Sequence, residues 1–138
     1  WMVATGTALG VFLALLKTNL PWQRFKKIVL VHGVRYSDEL IYQDLIQELN
    51  KTYPNQLTYI RTVTRDKVAD CFNYRIPVGI ESRDFQSYAN IEINEDSQFM
   101  LCGNPQMIKD TSVTLNSFGL ERNRRAKPGN ITVERYWL

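Results

Sequence analysis

The chain has 138 residues, 44% apolar and 22% charged, a balance that suits one globular domain and leaves little room for two. Seventeen Lys and Arg against fourteen Asp and Glu give a net charge of +3. That value is too small to argue for nucleic acid but compatible with an anionic ligand or an acidic partner. A single histidine, His32, excludes a multi-histidine metal site, and Cys71 and Cys102 lack metal-type spacing, so no metal is expected. The two cysteines read as reduced thiols, which points to the cytoplasm.

Trp1–Ala4 reads as a first strand with its turn at Thr5-Gly6-Thr7. The chain opens inside this strand-like run, so further sequence is expected upstream. Thr7 to Lys17 reads as an apolar-rich helix ending near Asn19-Leu20-Pro21. Its apolar run is about half the ~20 residues a membrane span requires, and it lacks a basic leader, so it reads as a buried helix. Lys27–His32 is a near-continuous apolar run, as in a central parallel strand. From Ser37, a candidate N-cap, apolar residues Leu40, Ile41, Leu45, Ile46 and Leu49 recur at helical spacing through Asn50. Leu57–Val63 alternates as a third strand. Residues 64–75 are polar and read as a functional loop. Ile76–Ser82 is a short helix with Pro77 in its first turn. Phe99–Cys102 is the fourth strand, Pro105–Phe118 a helix and Ile131–Tyr136 the last strand.

This alternation predicts an α/β fold, a doubly wound five-stranded parallel sheet with helices on both faces. Ligands of such sheets bind beyond the carboxyl ends of the strands. The turns there hold the candidate residues. Ala4-Thr5-Gly6-Thr7-Ala8-Leu9-Gly10 would let backbone approach a pyrophosphate at a helix N-terminus, or is an ordinary strand–helix turn; Ala4 stands where a full G-x-G-x-x-G would begin. After the second strand stands Arg35 rather than an acid, which favours phosphate. His32 reads as a packed or hydrogen-bonded core residue. His32-Gly33 also fits the oxyanion loop of a hydrolase, but no G-x-S-x-G nucleophile elbow is present. Thr64, Arg65 and Arg75 offer a hydroxyl and two planar forks that could clamp a 2′-phosphate, or they belong to a solvated charged loop. Cys102, with Gly103 and the helix start at Pro105, could border a flat ring, or be a buried small hydrophobe. Tyr136 and Trp137 could stack on a heterocycle or anchor the terminus. Arg122, Arg124, Arg125 and Lys127 form a basic cluster, either solvated or facing an acidic partner.

Taken in order, WMVATGTALG, LVHGVRY, TVTRD, YRIP, LCGNPQM and ERYW resemble the nucleotide half of bacterial ferredoxin/flavodoxin–NADP⁺ reductases, over Trp1 to Trp137. The resemblance implies strand order 3-2-1-4-5 and one NADP(H)-binding domain over residues 1–138. Its partner FAD-binding barrel would lie elsewhere in the same protein and hold most of the FAD. It implies that Thr5, Gly6 and Thr7 line the nicotinamide and pyrophosphate region and that Arg35 contacts NADP phosphates. Thr64, Arg65 and Arg75 would hold the 2′-phosphate. Gly103, Asn104 and Gln106 would complete the cofactor site. Cys102 would lie near the reacting nicotinamide carbon, and Trp137, with Tyr136, against the flavin. The implied activity is hydride transfer between NADPH and FAD, with ferredoxin or flavodoxin as electron partner. The rivals are the reductase component of an oxygenase and a non-catalytic nucleotide sensor. Val11 and Tyr74 depart from the family's proline and glycine, and Leu138 extends past the terminal tryptophan of one subgroup.

Overall fold

The computed structural model describes residues 1–134. Its five strands, β1 Met2–Thr5, β2 Ile28–Val34, β3 Leu57–Val63, β4 Phe99–Cys102 and β5 Ile131–Glu134, are all parallel and ordered β3-β2-β1-β4-β5. This is the expected doubly wound order. The first strand is displaced by one residue from expectation. The second runs two residues further, because Gly33 and Val34 still pair with Thr62 and Val63.

Side-chain alternation divides the core in two. Met2, Ala4, Ile28 and Leu30 point to one face and pack against Leu9, Phe12, Leu13 and Leu16 of α1 (Leu9–Leu16). Ile46 and Leu49 of α3 (Gln43–Thr52) close the same layer. Val3, Val29 and Val31 point the other way. There they meet Ile80 of α4 (Ile76–Glu81), Phe85 of α5 (Asp84–Ala89) and Leu115 of α6 (Pro105–Ser117). All seven residues of β2 are buried, which explains its near-continuous apolar run. A sheet covered on both faces leaves only the strand ends for a ligand.

Three local expectations need correction. The helix expected from Thr7 begins as a 3-10 turn, Gly6–Ala8, before α1 takes over. A short helix, α2 (Leu20–Arg24), follows α1 at Asn19-Leu20-Pro21, where only the end of the first helix was expected; Pro21 sits in its first turn, where it has no hydrogen bond to lose. The helix expected from Ser37 to Asn50 is broken. Ser37–Glu39 forms a 3-10 turn, Tyr42 adopts a left-handed φ of 62°, and α3 starts at Gln43. Local polar bonds compete with the helix here: Glu39 Oε1 accepts from Tyr36 N at 2.9 Å, and Ser37 N donates to Asp66 Oδ2 at 2.7 Å. Ser37 therefore does not cap α3, and Ile41, expected in the core, is exposed.

Candidate functional site

At the carboxyl ends of the strands lies an open cavity of about 690 Å³. Its wall carries Thr5, Gly6 and Thr7 from the β1 turn, Arg35 from the β2 turn, Thr64 and Arg65 from the β3 turn, Arg75 from the start of α4, and Asn104 and Gln106 from the start of α6. Nine of the candidate residues, drawn from four turns and a span of about 100 positions, thus share one surface.

The first turn is shaped by one glycine and one histidine. Gly6 has φ +56°, and no heavy atom lies within 4 Å of where its Cβ would stand. The missing side chain leaves the backbone open to the cavity. His32 is fully buried beneath it. Its Nε2 lies 2.9 Å from the Gly6 carbonyl, so the ring N–H donates and ties β2 to the turn. Burial lowers its pKa from the ordinary 6.5, outweighing the bond to Gly6 and the charge of Glu39. The imidazole is a neutral donor, consistent with the hydrogen-bonded core reading. No side chain caps this turn at Thr5, so its first N–H groups are left for a ligand or water.

The fourth turn is closed by comparison. Asn104 Oδ1 accepts from Gln106 N at 2.8 Å and Met107 N at 3.2 Å, capping α6. Gly103 has φ +132°, and a Cβ there would collide with Thr5 Oγ1 and stand 2.9 Å from Thr5 N. Its side-chain space is taken by Thr5, and that close packing requires a glycine at this position. Thr5 Oγ1 in turn accepts from Asn104 N at 2.7 Å. Cys102 is fully buried on the α1 face of the sheet and does not reach the wall. Burial first, and the charge of Glu134 second, raise its thiol pKa, so it is not a thiolate nucleophile. Tyr136 and Trp137 lie outside the described residues.

The cationic rim is built by the segment after β3. Thr64 N donates to the Val34 carbonyl at 3.1 Å and Arg65 N to the Arg35 carbonyl at 2.8 Å, which continues the β2–β3 pairing past the strands and sets Arg35 and Arg65 side by side. Asn73 Nδ2 then ties the loop back to the carbonyls of Val63 and Asp66. Phe72 pairs beside Thr62 and returns the chain to Arg75. The arginine's Nη2 donates to Asp110 Oδ2 at 2.8 Å. The other oxygen of that carboxylate accepts from Gln106 Nε2, also at 2.8 Å. These two bonds, the arginine's first, hold the Asp110 carboxyl below its usual range.

Glu39 also lies on the wall, an acid the sequence reading did not place after β2. Its signal was its position three residues past Tyr36, whose N–H it accepts. Among the described residues no group of acidic, histidine or cysteine side chains could hold a metal. None of their helices is long and apolar enough to cross a membrane.

The family described as the oxidoreductase NAD-binding domain matches residues 2–113. The chain belongs to that family. It is 42% identical to the flavodoxin/ferredoxin–NADP reductase of Escherichia coli over 139 aligned positions, 99% of this chain and 56% of that protein. Ferredoxin–NADP reductase of Azotobacter vinelandii is 33% identical, with 100% and 57% covered. The chain thus spans little more than half the length of these relatives. A solved ferredoxin–NADP⁺ reductase from Neisseria gonorrhoeae, with FAD and NADP bound, superposes with a TM-score of 0.90 at 30% identity, covering 99% of this chain and 55% of that one.

Proposed function

We propose that residues 1–138 are the NADP(H)-binding domain of a cytoplasmic flavodoxin/ferredoxin–NADP reductase, and that an FAD-binding domain of the same protein completes the enzyme. The observation that carries this reading is the arginine-lined cavity at the strand ends, with an uncapped, glycine-opened turn on one side and Arg35, Thr64, Arg65 and Arg75 on the other. An anion needs donors that are not already spent, and the β1 turn offers them. A second phosphate on a ribose needs planar forks, and Arg65 and Arg75 offer those. Similarity to named reductases over nearly the whole chain supports the same reading.

The residues fit the dinucleotide in a defined sense. Gly6 and Thr7 would receive the pyrophosphate against the backbone. Arg35, Thr64, Arg65 and Arg75 would hold the adenosine-side phosphates. Thr5 and Asn104 would frame the nicotinamide end, with Gly103 packed against Thr5 and the buried Cys102 behind the wall, and Tyr136 and Trp137 would face the flavin. When bound, the nicotinamide supplies hydride chemistry; this chain binds it, orients it and excludes water, with no acid or base required. Ferredoxin or flavodoxin would be the electron partner of the whole enzyme.

Calorimetric titration with 2′,5′-ADP and with 5′-AMP tests the reading. Tighter binding of 2′,5′-ADP by about ten-fold or more is expected from one charge-assisted contact to the extra phosphate. Equal affinity would remove the NADP assignment.

A further inference from the structure

Asp110 is not on the cavity wall, yet its two carboxylate oxygens hold two side chains that are. It stands one turn along α6 from Gln106, so the pair share a helix face. Arg75 comes from a different element, the residue before α4. One carboxylate therefore ties the start of α4 to the start of α6 behind the rim. The Asp110 side chain is 31% exposed and that of Arg75 56%. A long side chain with this much exposure would otherwise sample many rotamers. One guanidinium nitrogen is engaged with Asp110. Among the described residues the other N–H groups of the fork have no hydrogen-bond partner, which leaves them to face a second anion.

Resting on the NADP reading above, we propose that Asp110 is a positioning residue for 2′-phosphate recognition, holding Arg75 and Gln106 in place from behind the wall. A simple charge argument predicts the opposite effect. Asp110 is an anion beside an anion site, so removing it should tighten phosphate binding through reduced repulsion. The sign of the change therefore separates the two effects.

The experiment is titration of wild type, Asp110→Ala, Arg75→Ala and the double variant with 2′,5′-ADP and 5′-AMP. Asp110→Ala should weaken 2′,5′-ADP by about five-fold, the scale of reordering one rotamer-rich side chain on binding. It should leave 5′-AMP nearly unchanged, which also shows that the variant is folded. In the Arg75→Ala background the Asp110 substitution should have no further effect, since the pair acts as one unit. Unchanged or tighter 2′,5′-ADP binding by Asp110→Ala overturns the proposal while leaving the NADP reading standing. Equal loss for both ligands, or full additivity in the double variant, also overturns it. A wild type that does not prefer 2′,5′-ADP overturns both.

Discussion

Two turns stand next to each other at the same end of the sheet, and each carries a glycine at positive φ. At Gly6 the space where a side chain would go is empty, the following helical turn has no side-chain cap, and the backbone opens on the cavity. At Gly103 the same space is filled by Thr5, and the following helix is capped by Asn104. One glycine is there for what approaches from outside, the other for what is packed inside. Sequence motifs score the two alike, and only the neighbouring atoms distinguish them. The comparison separates affinity from stability: the open turn should govern ligand binding, the closed one folding.

The largest effect should come from the closed turn. Gly103→Ala combines an unfavourable φ with a collision against Thr5 and should cost roughly 3–5 kcal/mol of stability. Urea unfolding would measure it, and a loss below about 1 kcal/mol would mean the turn gives way readily. Adding Thr5→Ala removes the hydroxyl but not the Thr5 backbone nitrogen, 2.9 Å from the added Cβ. The double variant should therefore regain only part of the loss.

Next is the rim. Arg65→Ala should lose about ten-fold or more in 2′,5′-ADP affinity, one charge-assisted hydrogen bond, with little change for 5′-AMP. Its melting temperature should hardly move, because the side chain is exposed while the backbone bond to Arg35 remains. Parallel titrations decide this, and equal losses for both ligands would place Arg65 elsewhere on the ligand.

Gly6→Ala should cost about 1 kcal/mol from its left-handed φ alone, since the added methyl meets nothing. Its binding loss should exceed its stability loss, the reverse of Gly103→Ala. If both glycine variants lose stability equally, the distinction between the turns fails.

The smallest effect concerns the histidine beneath the open turn. The folded pKa of His32 lies below its ordinary 6.5, so the unfolded chain binds more protons between the two values. Stability from the neutral ring is present above 6.5 and is lost as pH falls through the folded pKa. His32→Gln removes that titration, so the stability gap between wild type and variant should narrow as pH drops below about 6.5. Paired denaturant titrations at several pH values would show it, and a pH-independent gap would refute the buried neutral ring.

The sequence by itself was enough for the architecture. Apolar runs at Lys27–His32 and Phe99–Cys102, alternating with helical spacing, require a parallel sheet covered on both faces, because such strands have no solvated side. Such a sheet offers its strand ends to a ligand, so the turns holding Thr5, Arg35, Thr64, Arg65 and Gln106 could be chosen before any coordinates. Periodicity misled at Leu40 and Ile41. Helical spacing continues through them, but polar bonds of Glu39 and Asp66, one of them 29 residues away, break the helix there. Tertiary structure alone decided which turn is open and which closed, since that depends on Thr5 meeting Gly103 across a separation of 98 positions. It also decided that Cys102 faces the α1 layer rather than the cavity, and that Asp110 reaches Arg75, 35 residues away. Local pattern follows from the backbone's own periods. Contacts between distant residues form only once the sheet has set their register, and the chemistry of this site lies in those contacts.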